Sequence, residues 1–197
     1  MLVQAAQFVL EAFFGLFIFA ALLRFFAQTL HASFRNPIGD FVIALTNFAV
    51  LPLRKVVPSF FKLDFATLVM AFLLELALVL SLLVLAGFRE FLNLEVMAWV
   101  LALTVLRLIG VMLYLLIGAL VVQAVLSWTS PHHAVALFFD ALTRPFLKHL
   151  RRAIPTVGGI DLSPLVLLVI CQLLLVVVLK HVDAQALKQL YFAVAGI

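Results

Sequence analysis

The sequence predicts an all-α membrane protein: four transmembrane helices arranged as two tandem helical hairpins, with amphipathic interfacial helices in the loops. Three observations carry that expectation. Hydrophobic residues fill 67% of 197 positions and charged residues only 11%, against about 45–50% and about 25% in soluble domains. The apolar excess falls into blocks near the ~20 residues that cross a bilayer: Phe8 to Phe26, Phe65 to Ala86, Leu108 to Trp128 and Leu162 to Leu179. The chain also repeats itself. Thr46, Leu53, Arg54, Pro58, Asp64 and Leu68 recur ninety-seven positions later as Thr143, Leu150, Arg151, Pro155, Asp161 and Leu165. Duplication of one unit, two spans and a basic loop, accounts for that offset.

On this reading residues 1–86 form the first repeat and 108–180 the second. Residues 87–107 are a linker that reads as an interfacial helix, because the apolar stretch from Val96 to Leu126 is too long for one untilted span. Residues 181–197 form an amphipathic tail, in which Leu187, Leu190 and Tyr191 alternate with polar residues.

The first span has no Lys or Arg ahead of it and exceeds the roughly 7–15-residue core of a secretory signal. It is expected to be retained. Arg24, near its end, is placed to keep its stem in hydrocarbon and its head at the interface. In the first loop Ile38, Phe41, Val42, Leu45 and Phe48 form a helical apolar stripe opposite Asp40, Ala44 and Asn47, introduced by Pro37. Pro131 introduces its counterpart, Val135, Phe138, Phe139 and Leu142. Such helices lie at headgroup depth or dock on neighbouring spans.

A basic, proline-marked turn follows each stripe, Leu53-Arg54-Lys55-Val56-Val57-Pro58 and Leu150-Arg151-Arg152-Ala153-Ile154-Pro155. At headgroup depth Arg54, Lys55, Arg151 and Arg152 are each worth about 1 kcal/mol against anionic lipid; alternatively they only enforce topology. Asp64 and Asp161 stand just ahead of the second and fourth spans, where a carboxylate caps free helical amides.

Glu75, near the centre of the second span, is too costly to face lipid. Its repeat counterpart is Gln172. The two are expected to meet at the midplane, locking the spans together or marking a proton or cation path. In the third span Gly110 and Gly118 share a face and permit close helix approach.

Eight of the thirteen Lys and Arg lie in the first and third loops: Arg35, Arg54, Lys55, Lys62, Arg144, Lys148, Arg151 and Arg152. Arg89 and Arg107 alone fall in the middle loop. The positive-inside rule then puts both basic loops in the cytoplasm. The net charge of +4 is confined to these loops rather than spread for nucleic acid. One cysteine, Cys171, excludes an intramolecular disulfide, and the five histidines lack metal-ligand company. No catalytic set, metal site or cofactor is expected.

Arg24 near the end of the first span, Asn36-Pro37, the two Thr-to-Pro basic turns, Ser127-Trp128, and the run Gly158-Gly159-Ile160-Asp161-Leu162-Ser163-Pro164 together resemble the YggT family of small integral membrane proteins, in its two-repeat form. The first copy departs from the pattern, with Asn47-Phe48 after Thr46 and Phe61-Lys62 in place of Gly-Gly. The resemblance implies a multi-pass protein of the bacterial inner membrane, or of a plastid membrane, without assigned enzymatic chemistry. It implies associations with osmotic stress, with cell division and envelope organisation, and with assembly of a membrane cytochrome. The expected function is a non-enzymatic membrane organiser or assembly factor that engages anionic lipid or a membrane-protein partner through its basic loops. The alternative is a small osmotically relevant transporter or channel lined by Glu75 and Gln172. Four thin spans also favour a homo-oligomer.

Overall fold

The computed structural model describes residues 1–57, 63–88, 93–130, 132–153 and 161–179, with the single positions 182 and 188. Pro58, Pro155, the Gly158–Ile160 run, Arg89 and most of the tail after residue 180 lie outside the described residues.

The described chain is helical: α1 Leu2–Thr29, α2 Pro37–Val56, α3 Phe65–Leu85, α4 Leu94–Thr129, α5 Ala134–Ala153 and α6 Ser163–Leu173, which widens into a π-helix over Leu174–Leu179. The duplication reaches the helix bounds themselves. The ninety-seven-residue offset carries both ends of α2 onto those of α5.

Four helices are long and apolar enough to cross a membrane, α1, α2, α3 and α4, while α6 with its π turn is shorter. Position separates α2 from the other three. Its Asn47 meets Arg24 and its Phe48 meets Phe17, both in the C-terminal half of α1, and its Arg54 reaches Asp64 at the entrance to α3. It therefore lies along one end of the α1–α3 hairpin, with Asp40, Phe41 and Phe48 exposed. The face it buries is Gly39, Val42, Thr46 and Val50, only one edge of the apolar stripe read from the sequence. The fourth apolar block of the sequence is α6, whose Leu167 and Cys171 cluster with Leu120 of α4 and Leu147 of α5.

Side-chain caps start α2 and α4. Asn36 accepts from the Gly39 amide at 3.0 Å, and Asn93 from the Glu95 amide at 2.9 Å. Gly39 is required sterically, since a β-carbon there would stand 2.4 Å from the Phe34 carbonyl oxygen. Pro37 occupies the first turn of α2, where its missing amide costs nothing.

The middle of the chain departs from expectation. No separate linker helix precedes the third span: residues 94–107 are the first part of α4 itself, 36 residues long and about 54 Å end to end. Because Val96, Val100 and Leu103 pack on Val79 and Leu83 of α3, helix propagation has a partner from its first turn and needs no break. Among the described residues Gly110 and Gly118 do not form a close helix contact: a β-carbon at Gly110 would meet only the Leu179 side chain, at 4.0 Å, and one at Gly118 nothing within 4 Å.

The main core joins α1, α2 and α3 to α4 and α5. Phe34, just ahead of α2, packs edge-on against buried Phe138 of α5 at 6.3 Å between ring centroids. That contact puts the two surface helices on the same side of the bundle.

Candidate functional site

At the shared end of each hairpin an arginine and an aspartate ten residues apart form a clasp. In the first copy Arg54 donates through Nε and Nη2 to the Asp64 carboxylate, which also accepts from Thr67 Oγ1 at 2.6 Å. In the second, Arg151 Nε donates to Asp161 Oδ2 at 2.7 Å. These pairs are related by the repeat offset. Each ties the last turn of a surface helix to the entrance of a span across a connection no local rule spans.

The two aspartates differ as caps. Asp161 accepts from the Ser163 amide at 2.9 Å, one residue ahead of the Leu162 N-cap of α6. Asp64 occupies the N-cap position but its side chain takes no amide; Arg54 and Thr67 occupy its oxygens. Burial alone would raise the Asp64 carboxyl, but the hydrogen bonds from Arg54 and Thr67 outweigh it and hold Asp64 below the ordinary aspartate range. Asp161 is lowered too, burial being outweighed by hydrogen bonds from Ser163 and Arg151.

Two of the four cations expected to meet lipid are thus committed to carboxylates. Lys55 and Arg152 stand beside them on the exposed surface, and among the described residues neither has an acidic partner. Gln28 completes the first clasp: with its amide oriented to suit, its nitrogen lies 2.7 Å from Asp64 Oδ2 and its oxygen 3.0 Å from Arg54 Nη2.

Arg24 does not reach for the interface. It is only 4% exposed, and its Nη1 donates to Thr46 Oγ1 at 2.7 Å and Asn47 Oδ1 at 2.9 Å. Asn47 stands where the second copy has Arg144, which pairs with Asp140 on its own helix. The departure of the first copy from the family pattern therefore supplies the acceptor for Arg24.

Glu75, the middle residue of α3, does not meet Gln172. Its carboxylate lies 3.0 Å from Arg107 Nε on α4, whereas Gln172 is exposed on α6. Repeat symmetry would bring the two together only if α6 crossed the bundle to α3; it packs on α4 instead. The continuity of α4 puts Arg107 in the bundle and not in the middle loop expected from the sequence. The signal was present in the sequence, a lone cation inside an apolar run. The ion pair borders a cavity of about 490 Å³, whose wall also includes Glu11, Tyr114, Gly110 and Leu179. Glu11 of α1 is thus a second acid lining that cavity. No group of three or more His, Cys, Asp or Glu among the described residues is arranged to hold a metal.

Comparison with known proteins resolves which family builds this pattern. A profile of the CCB3/YggT family matches residues 3–93 and again residues 102–182, one match for each copy of the duplicated unit. The chain belongs to the CCB3/YggT family. Its relatives include YggT of Escherichia coli K12, 30% identical over 83% of this chain and 83% of its own length. A protein encoded 3′ of proC in Vibrio alginolyticus is 34% identical over 84% of this chain and 89% of its own length. A Pseudomonas aeruginosa protein is 29% identical over 91% of each. All three are described as uncharacterized. No solved structure matches the chain. YggT-family membership makes this a membrane protein of bacterial type, and its four long apolar helices agree.

Proposed function

We propose that this YggT-family protein is a non-enzymatic membrane organiser, whose two surface helices present a basic platform on the cytoplasmic face of the inner membrane to anionic lipid or a membrane-protein partner. One observation carries this reading: the same clasp, Arg54–Asp64 and Arg151–Asp161, fixes both surface helices to their spans and leaves Lys55 and Arg152 exposed on the one side that both helices share. A division or osmotic-stress role, of the kind the family resemblance implies, would be exercised through such a platform.

The test separates the free cations from the clasped ones. In nanodiscs containing phosphatidylglycerol, Lys55→Glu with Arg152→Glu is expected to lose most anionic lipid retained in native mass spectrometry, while inserting as the parent does. Unchanged lipid retention and an unchanged set of copurifying proteins in that variant would refute the platform.

A second reading is favoured by the cavity that brings Glu11, Glu75 and Arg107 together. Here the protein passes a small solute or ion along that cavity, and Gln172 takes no part. Reconstituted liposomes are expected to show flux that Glu75→Leu abolishes; absence of flux across ions and common osmolytes removes this reading.

A further inference from the structure

The two surface helices have the same bounds, ninety-seven residues apart, and can be compared position by position. Where α2 carries Leu51 and Pro52, α5 carries Lys148 and His149, and Phe146 stands where α2 has Ala49. One turn of the second copy thus gains two basic side chains and a large apolar one. Phe146 and Leu142 line a cavity of about 250 Å³, together with Met112, Leu116 and Ala119 of α4 and Phe26 of α1. His149, three residues beyond Phe146 and seven beyond Leu142, continues their face of the helix. Its Nδ1 donates to the Pro145 carbonyl at 3.0 Å, which holds the ring along α5 and leaves Nε2 available. Lys148 is exposed beside it, and among the described residues no carboxylate pairs with it.

Every residue that lines the cavity is apolar, so its one polar border is the basic turn of α5. The α4 wall runs from Ile109 to Ala119, about 15 Å at the helical rise and half of a hydrocarbon core about 30 Å thick, the depth of one leaflet. A helix of that length, about 10–12 Å across, displaces more than about 1,000 Å³. No helix of a second chain enters such a space, whereas a hydrocarbon chain does. We propose that this cavity takes one acyl chain of an anionic phospholipid, whose phosphate lies against Lys148 and His149. The apolar wall selects the chain and the basic turn selects the headgroup. With Leu51 and Pro52 in their place, the first copy has no such rim. The inference goes beyond the basic platform and does not rest on it, since it uses neither Lys55 nor Arg152.

Native mass spectrometry of the full chain in mild detergent tests it. The probes are palmitoyl-oleoyl phosphatidylglycerol, phosphatidylcholine with the same chains, and dihexanoyl phosphatidylglycerol. The expected result is one long-chain phosphatidylglycerol held per chain, severalfold more than either other probe. Lys148→Gln with His149→Gln is expected to remove the preference for phosphatidylglycerol over phosphatidylcholine. Ile109→Trp, at a cavity residue that is 41% exposed, is expected to lower retention of both long-chain lipids. Lys55→Glu with Arg152→Glu leaves this one lipid in place, so the site and the platform fail separately. Equal retention of the three probes, full retention in the rim or cavity variants, or a second protein chain bound in place of lipid would overturn the proposal. Should the variants fail to insert, the parent chain answers alone. Phosphatidylglycerol with a photoreactive group near one chain end is expected to label residues 109–116, and labelling confined to the exposed Val121 and Val125 overturns it.

Discussion

Arg107 and Glu75 pair at 3.0 Å inside the bundle, where either side chain alone would be expensive. An ionised side chain at the centre of a span costs roughly 2.5–3.5 kcal/mol on insertion scales, and removing one partner of a buried pair typically costs about 3–5 kcal/mol because the other charge is left behind. The Arg107 side chain is 31% exposed, so Arg107→Leu is expected to destabilise the bundle by less than the loss of a fully buried partner would, while the double variant Glu75→Leu, Arg107→Leu recovers most of that loss. Thermal unfolding in mild detergent measures both; equal losses in the single and double variants would show that the pair contributes no coupling. The aspartates of the clasp carry a pH signature. Their carboxyls are held below the ordinary aspartate range, so each stabilises the folded clasp fully above that range and loses its contribution only as pH falls through the lowered value. Hydrogen-exchange protection factors at the C-terminal turns of α2 and α5, taken against the intrinsic exchange rate at each pH, are expected to stay flat from neutral pH to about pH 5, then to fall in stronger acid. Asn substitution at either aspartate should remove that acid step in its own copy. The Arg–Asp pairing was not legible in the sequence, although all four residues stood out. The partners are ten residues apart, the arginines at the ends of α2 and α5 and the aspartates just ahead of α3 and α6, a separation that no helical spacing reads as a pair.

Among the elements, α2 and α5 show how far periodicity reaches. Their apolar stripes and proline starts were readable, since a helix that buries one face must repeat apolar residues on it. Which edge of the stripe is buried was not readable, because Phe41 and Phe48 are as apolar as Val42 and yet face outward. At headgroup depth lipid accepts what protein does not cover. The entry to α2 depends on Gly39, whose hydrogen stands where any β-carbon would overlap the Phe34 backbone. Gly39→Ala is expected to undock the start of α2, seen as faster proteolysis after residue 30 and a Tm lowered by several degrees; an unchanged cleavage pattern would contradict that geometry. Hydropathy failed at α4 for a definite reason. Its apolar run exceeds a bilayer span, which argues for a break in isolation, but α3 provides packing along the excess, and the helix continues.

For the whole molecule, the duplication was the most legible feature, and it is expressed in helix bounds, in the paired clasps and in the two family matches. Its breakdown is equally informative. Glu75 found a cation on α4 while Gln172 was left exposed, because the internal contact is made once and not twice. Offset arithmetic pairs residues by sequence, and only the packing says which face each presents. The resulting architecture has two hairpins, a surface helix clasped to each, and both basic ends on one side. That side is the central claim, and thiol accessibility reads it directly. In a Cys171→Ser background, Lys55→Cys and Arg152→Cys are predicted to react with a membrane-impermeant maleimide in inside-out vesicles and to be protected in intact spheroplasts, both alike. Labelling of the two positions from opposite sides of the membrane would contradict it.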